Sequence, residues 1–301
     1  MNYRTTWFVC ISAALLLSCT NIIPSQPTPP ELNEAMKRMD AKQRLMDASS
    51  RYEFVSRVPL RDMFPDVLIR ALADAAGSGR VEQIDQRVAQ GADVNARGEL
   101  GVTPLYWPIS QNNIHGFRRL LELGADPNAI FFDGMSVMFF AAQNENLEFL
   151  RLALEHGADP NLVSGARSTA LESQSNEYGF IGETPLMHVI IYNKNTIAGI
   201  DLLLDYGADI NARTLPTHLG NSLCLLMSST VGPKYDVALH LLERGADYNF
   251  TNDNGYGFLA ILTRHWVGYP ADTSERRKVI EEMQKVVDWL AAREVVIPER
   301  N

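Results

Sequence analysis

The sequence predicts an all-α solenoid, a stack of about six helix-turn-helix repeats joined by β-turn fingers, and three observations carry that expectation. The pentapeptide Gly-Ala-Asp-x-Asn occurs five times, at residues 91–95, 124–128, 157–161, 207–211 and 245–249. Successive copies lie 33, 33, 50 and 38 residues apart, so two intervals are equal and two hold the same unit with insertions. Self-similarity at that period is the mark of stacked arrays, in which each unit buries its faces against its neighbours. Between copies, apolar residues recur at helical spacing, as at Ile114, Phe117, Leu120 and Leu121.

The chain begins differently. Residues 1–18 place one positive charge, Arg4, before an apolar run from Trp7 to Leu17. These are the n-region and h-region of an export signal, and the run is too short to span a bilayer. It ends Leu16-Leu17-Ser18-Cys19. That ending resembles the lipobox of bacterial lipoproteins. The resemblance implies cleavage before Cys19, a diacylglycerol on its sulfur and a palmitate-type acyl chain on the new amine. Several chains anchor stably where one is marginal. Thr20, in place of Asp after the cysteine, implies by the sorting pattern of that class the outer membrane, facing the periplasm.

Residues 19–30 hold Pro24, Pro27, Pro29 and Pro30 and read as an extended tether. At ~3.1 Å per residue it reaches roughly 35 Å from the lipid. Residues 31–58 read as an N-terminal capping helix with Leu32, Met36, Met39 and Met46 on one face, covering the first repeat.

The repeat array is expected over 59–301. Its best-formed unit opens Thr103-Pro104-Leu105-Tyr106. Thr103 has the hydroxyl to cap the first helix, Pro104 suits the first helical position and Leu105 points inward. Asn112 and Asn113 break that helix, and a second one runs to Gly124, a left-handed cap. Asp126 and Asn128 then bond the backbone of the following turn. This unit resembles the ankyrin repeat, whose pattern runs from Thr-Pro-Leu-His to Gly-Ala-Asp-x-Asn, and the resemblance extends over about 65–293.

The other units keep the frame to different degrees. The first has Ala75, Ala76 and Gly79 but lacks Thr-Pro. The third puts Ser136 and Val137 in those slots, and the fourth opens Thr184-Pro185-Leu186. In the fifth, Cys224 is expected in the His slot, as a buried and inert thiol. The sixth lacks the closing motif and is expected to end in a capping helix over 275–293, with Val279, Met283, Val286, Val287 and Leu290 on one side. Between the third and fourth units, residues 162–183 form an insertion that must leave the stack at a finger.

Composition narrows function. The formal net charge is −9, and the densest basic run, Arg276-Arg277-Lys278, is followed by Glu281-Glu282, so nothing provides the basic footprint of a nucleic-acid binder. Three cysteines are too few and scattered for a disulfide framework. The six histidines form no HxxxH or HExxH pattern. Gly255-x-Gly257 and the run Asn252-Asp253-Asn254 fall where a turn between repeats is expected, so neither a dinucleotide nor a calcium loop is read there. No catalytic residue, metal ligand or cofactor is expected; the chain is read as non-catalytic.

Resemblance to ankyrin arrays implies a protein partner held on a concave face built from the fingers and the first helices. The fingers fall at 97–100, 130–133, 214–219 and 250–253, and the expected contact residues there are Phe131, Phe132 and Phe250. Trp107, Phe140, His188 and Tyr192 are expected on the first helices, and Tyr178 and Phe180 in the insertion. With the Cys19 anchor, these features read as a periplasm-facing lipoprotein, by analogy an immunity protein inhibiting a type VI secreted toxin such as a phospholipase through an acidic surface. The alternative is an envelope scaffold, or a helper for a periplasmic enzyme such as a catalase. Either way the membrane is touched through lipid alone.

Overall fold

The computed structural model describes residues 58–131, 134–164, 182–215, 222–230 and 232–298. The signal, tether and capping helix read over 1–58 fall outside them except for Val58. The described residues form thirteen α-helices and no β-strand, so the repeat solenoid expected from the sequence is the fold observed.

A single turn, α1 (Leu60–Met63), leads into six helix pairs: α2 (Val67–Gly77) with α3 (Val81–Ala89), α4 (Tyr106–Ser110) with α5 (Ile114–Glu122), and α6 (Val137–Gln143) with α7 (Glu148–Glu155). Then come α8 (Pro185–Tyr192) with α9 (Thr196–Asp205), α10 (Leu225–Ser229) with α11 (Tyr235–Glu243), and α12 (Phe258–Gly268) with α13 (Ser274–Ala291). First helices pack on first helices, α4 on α6, α6 on α8, α8 on α10 and α10 on α12. Second helices do likewise, with α5 between α3 and α7. Apolar stripes meet at these seams; Phe117 of α5 and Phe149 of α7, both fully buried, cross edge to face at 5.2 Å.

Gly-Ala-Asp-x-Asn does three jobs in the first three copies. Its glycine ends the second helix: Gly124 N–H donates to Leu121 O at 2.9 Å and Ala125 N–H to Leu120 O at 3.0 Å. Gly124 and Gly157 stand at φ 88° and 85°, and a Cβ added at either would meet nothing within 4 Å, so conformation rather than space requires glycine there. The aspartate then bonds its own turn, Asp126 Oδ1 accepting from Asn128 N–H at 2.9 Å. The asparagine reaches the next unit: Asn128 Nδ2 donates to Gly157 O at 2.9 Å while its Oδ1 accepts from Asp159 N–H at 2.7 Å. Asn95 makes the same pair of bonds to Gly124 and Asp126, and Asn161 to Gly207 and Asp209. Asn211 Oδ1 continues the series by accepting from Asp247 N–H at 2.8 Å.

The fingers are the links between this clamp and the next first helix. Three of them are closed by isolated antiparallel bridges, Ile130 to Ser136, Arg213 to Cys224 and Thr251 to Gly257. These bridges correct the register of the fifth unit. Cys224 aligns with Ser136, in the Thr slot, and stands as the N-cap residue of α10. It is buried, and burial pushes its thiol pKa up. The base of the insertion is closed in the same manner, with Ser164 N–H donating to Glu183 O at 2.9 Å.

Helix starts vary with the residue in that slot. Ser136 Oγ accepts from Met138 N–H at 3.2 Å and Thr184 Oγ1 from Met187 N–H at 3.4 Å. Thr103 does not cap. The chain enters α4 through a tight turn in which Tyr106 N–H donates to Thr103 O at 3.1 Å, so the donor the hydroxyl would serve is taken. The buried Thr103 hydroxyl is left without a hydrogen-bond partner.

The last unit is tied by a buried polar contact. Tyr235 of α11 is fully buried and its hydroxyl is hydrogen-bonded to His265 Nδ1 of α12 at 2.6 Å. Burial first, and the Arg264 charge second, hold His265 below its ordinary pKa. The unfolded chain therefore takes up that proton first. This contribution to stability is fully present above about pH 6.5 and is lost as pH falls through the depressed folded value.

Two outcomes are expected. Asn128→Ala removes two bonds between units and should cost about 1–3 kcal/mol, against about 2–5 kcal/mol for Leu121→Ala at the seam of α5, both read from urea melts at pH 7.5. In a pH series, the urea midpoint should decline below about pH 6.5, and His265→Gln should flatten that decline.

Candidate functional site

The surface that can receive a partner is built from first helices and fingers, and the frame fixes which side chains reach it. The residue four places after the Thr slot is Trp107 in α4, Phe140 in α6, His188 in α8 and Ser228 in α10. Trp107 and Phe140 are half-buried, whereas His188 and Ser228 are buried. The indole of Trp107 lies over the end of α2, where a Cβ on Gly77 would come within 2.3 Å of its Cδ1. Gly77 is thus a notch that seats the indole. Tyr192, at the end of α8, is 42% exposed, with its ring 5.5 Å from that of His188.

The fingers depart from expectation at Phe131. The sequence places it beside Phe132 at a tip; in the structure it turns inward and is only 4% exposed. Its ring meets Tyr106 edge-on at 6.0 Å and stacks on Phe140 at 6.1 Å, and Tyr106 and Phe140 meet at 4.8 Å. Three rings thereby fasten the finger to α4 and α6. Adjacent fingers are also joined, because Arg97 donates to both Gly101 O at 3.1 Å and Ile130 O at 2.6 Å. Phe250 is half-buried beneath the Arg213 guanidinium, 4.1 Å from the ring centroid. Cys19, Phe132, Tyr178 and Phe180 lie outside the described residues.

His188 is the second departure. It is fully buried, so it offers no contact area to a partner. Its Nδ1 lies 2.7 Å from Gln143 Nε2 and its Nε2 is 3.0 Å from Glu183 Oε2. The Gln143 amide can only donate into Nδ1, which puts the proton of the neutral ring on Nε2, the atom on the Glu183 side. Glu183, also buried, was not singled out by sequence reasoning. The signal was available: it holds the finger position that the other units fill with Val102, Met135, Leu223 and Tyr256.

Charge is sorted between the two helices in the four middle units, whereas the outer first helices carry Arg70 and Asp74 in α2 and Arg264 in α12. Helices α4, α6, α8 and α10 contain no Asp, Glu, Lys or Arg, whereas α3, α5, α7, α9 and α11 all do. The charged side chains pair from unit to unit, Arg119 with Asp85 at 2.7 Å, Arg118 with Glu148 at 2.9 Å and Arg244 with Asp201 at 2.7 Å. The acidic contact surface expected from the net charge is therefore not what the first helices present. Four successive first helices lack Asp, Glu, Lys and Arg, and three of them, α4, α6 and α8, carry aromatic residues.

Comparison with known families agrees with this geometry. Residues 72–164 match the family model for ankyrin repeats in three copies, and residues 182–212 match the model for an ankyrin repeat. These spans run from within α2 to beyond the end of α9. The two pairs beyond them, α10 with α11 and α12 with α13, continue the stack through the Asn211 bond to Asp247. The fold is thus an ankyrin-repeat solenoid, and such repeats are protein–protein interaction modules. No curated protein matches the chain.

The placements separate the aromatic residues by role. Phe131→Ala should cost about 3–5 kcal/mol in a urea melt. Tyr192→Ala should cost about 1 kcal/mol or less and leave the midpoint close to that of the parent chain.

Proposed function

We propose that this chain is a lipid-anchored inhibitor protein that faces the periplasm from the outer membrane and neutralises a secreted toxin, such as a phospholipase delivered by a type VI system. The observation that carries the reading is the joining, in one chain, of an export signal ending at Cys19, a proline-rich tether over 19–30 and a protein-interaction array. A toxin that attacks the bilayer must work within reach of it. A tether of roughly 35 Å keeps the array in the same layer, and confinement of that kind raises the effective concentration of inhibitor around its target. Binding of an ordered aromatic face over the toxin's cleft is sufficient to block it, and no chemistry is asked of the array.

The experiment has two arms. Cells fed labelled palmitate should incorporate it into the wild-type chain and not into Cys19→Ser, which should also shift on a gel. Cells lacking the protein should lose viability against a toxin-bearing sibling and recover with the wild-type chain, and recover less with Cys19→Ser. Unharmed deletion cells would sink the toxin reading, and label in Cys19→Ser would sink the anchor.

A further inference from the structure

The charge of this protein and the face it offers do not match, and the mismatch specifies a partner. The whole chain carries 36 acidic against 27 basic residues, yet the first helices α4, α6, α8 and α10 carry none of either. Along three of these helices run Trp107, Phe140 and Tyr192, with the exposed Gln111 and the half-buried Gln143 and Asn144 as the polar groups between them. A charged side chain laid on the Trp107, Phe140 and Tyr192 rings would lose water and find no counter-charge within α4, α6 or α8, which is unfavourable. An uncharged apolar side chain loses nothing of that kind and gains contact with aromatic area.

We infer that the partner seats an uncharged segment with aromatic or aliphatic side chains across Trp107, Phe140 and Tyr192, and that the acidic surface takes no part in holding it. This deepens the protein-binding reading and rests on it. The face is prepared for the role. Gly77 leaves the space that the Trp107 indole occupies, and the ring cluster of Tyr106, Phe131 and Phe140 fixes the second ring, so little ordering is left for binding to impose. Successive helices pack about 8–10 Å apart, so three of them span roughly 20 Å. An extended peptide covers that distance in about six residues, at ~3.3 Å each.

A phage library of random twelve-residue peptides tests the inference, selected on the full-length chain held in detergent and captured through a C-terminal tag. Enriched peptides should be aromatic or aliphatic and free of Asp, Glu, Lys and Arg. Their binding should change less than about twofold between 0.05 and 1 M NaCl, since screening acts on charges. It should weaken about tenfold or more in Tyr192→Ala and in Gln111→Glu, which places a charge at an exposed position of the face. Enrichment of basic peptides released by salt would overturn the inference while leaving the chain a protein binder. Equal recovery on the parent chain and on Gln111→Glu would overturn it too. The toxin reading stands or falls separately, on the sibling competition.

Discussion

The asparagine that closes Gly-Ala-Asp-x-Asn in the first three copies is the contact on which the array depends. It donates to the glycine carbonyl of the following unit and accepts from the aspartate amide two residues beyond that glycine, so one side chain fixes both spacing and rotation between neighbours. The glycine must sit at positive φ for its carbonyl to face that amide, and the aspartate must hold its own turn for the next amide to be in place. Three residues in each of these copies are thus committed to the same joint. Each bond lies near water and contributes modestly, but the joint recurs along the stack, and stability in such arrays is a sum of neighbour terms.

Because the clamp reads local geometry, it is indifferent to what lies between. Asn128 and Gly157 are 29 residues apart in sequence and Asn161 and Gly207 are 46, yet both pairs bond at 2.9 Å. The extra length is carried out at the finger, where Ser164 pairs with Glu183 at its base. The buried pair of His188 and Glu183 belongs to the unit that bears the insertion and replaces apolar packing there.

How much of this was legible in the sequence depends on whether a residue's role is local. Gly124 as a helix cap and Asp126 as a turn residue follow from rules spanning a few positions, and the repeat period places them in a stack. That Asn128 bonds the next unit is not local, because Gly157 lies far along the chain. Phe131 was misjudged for a related reason: two adjacent phenylalanines cannot both point one way, and adjacency does not say which one turns inward. The choice was made by Tyr106 and Phe140, which supply a ring pocket from two other elements. Cys224 moved from the His slot to the Thr slot because insertions upstream blur the count, and only the bridge to Arg213 restores it. Thr103 failed as a cap because a tight turn claimed its donor first, a competition between two local bonds that composition does not rank.

Net charge misled in another way, by averaging over surfaces that the fold keeps apart. Second helices stand on the side where unit-to-unit ion pairs form, so their charges are spent largely on one another and on water. First helices pack closely enough that charge there would be costly, and the same constraint that makes them neutral leaves aromatic rings at their rim. A net negative charge favours solubility and discourages indiscriminate association, and a strip free of Asp, Glu, Lys and Arg along α4, α6, α8 and α10 departs from that average. Solubility and specificity are then carried by opposite helices of the same repeat, and a change on one side leaves the other largely intact.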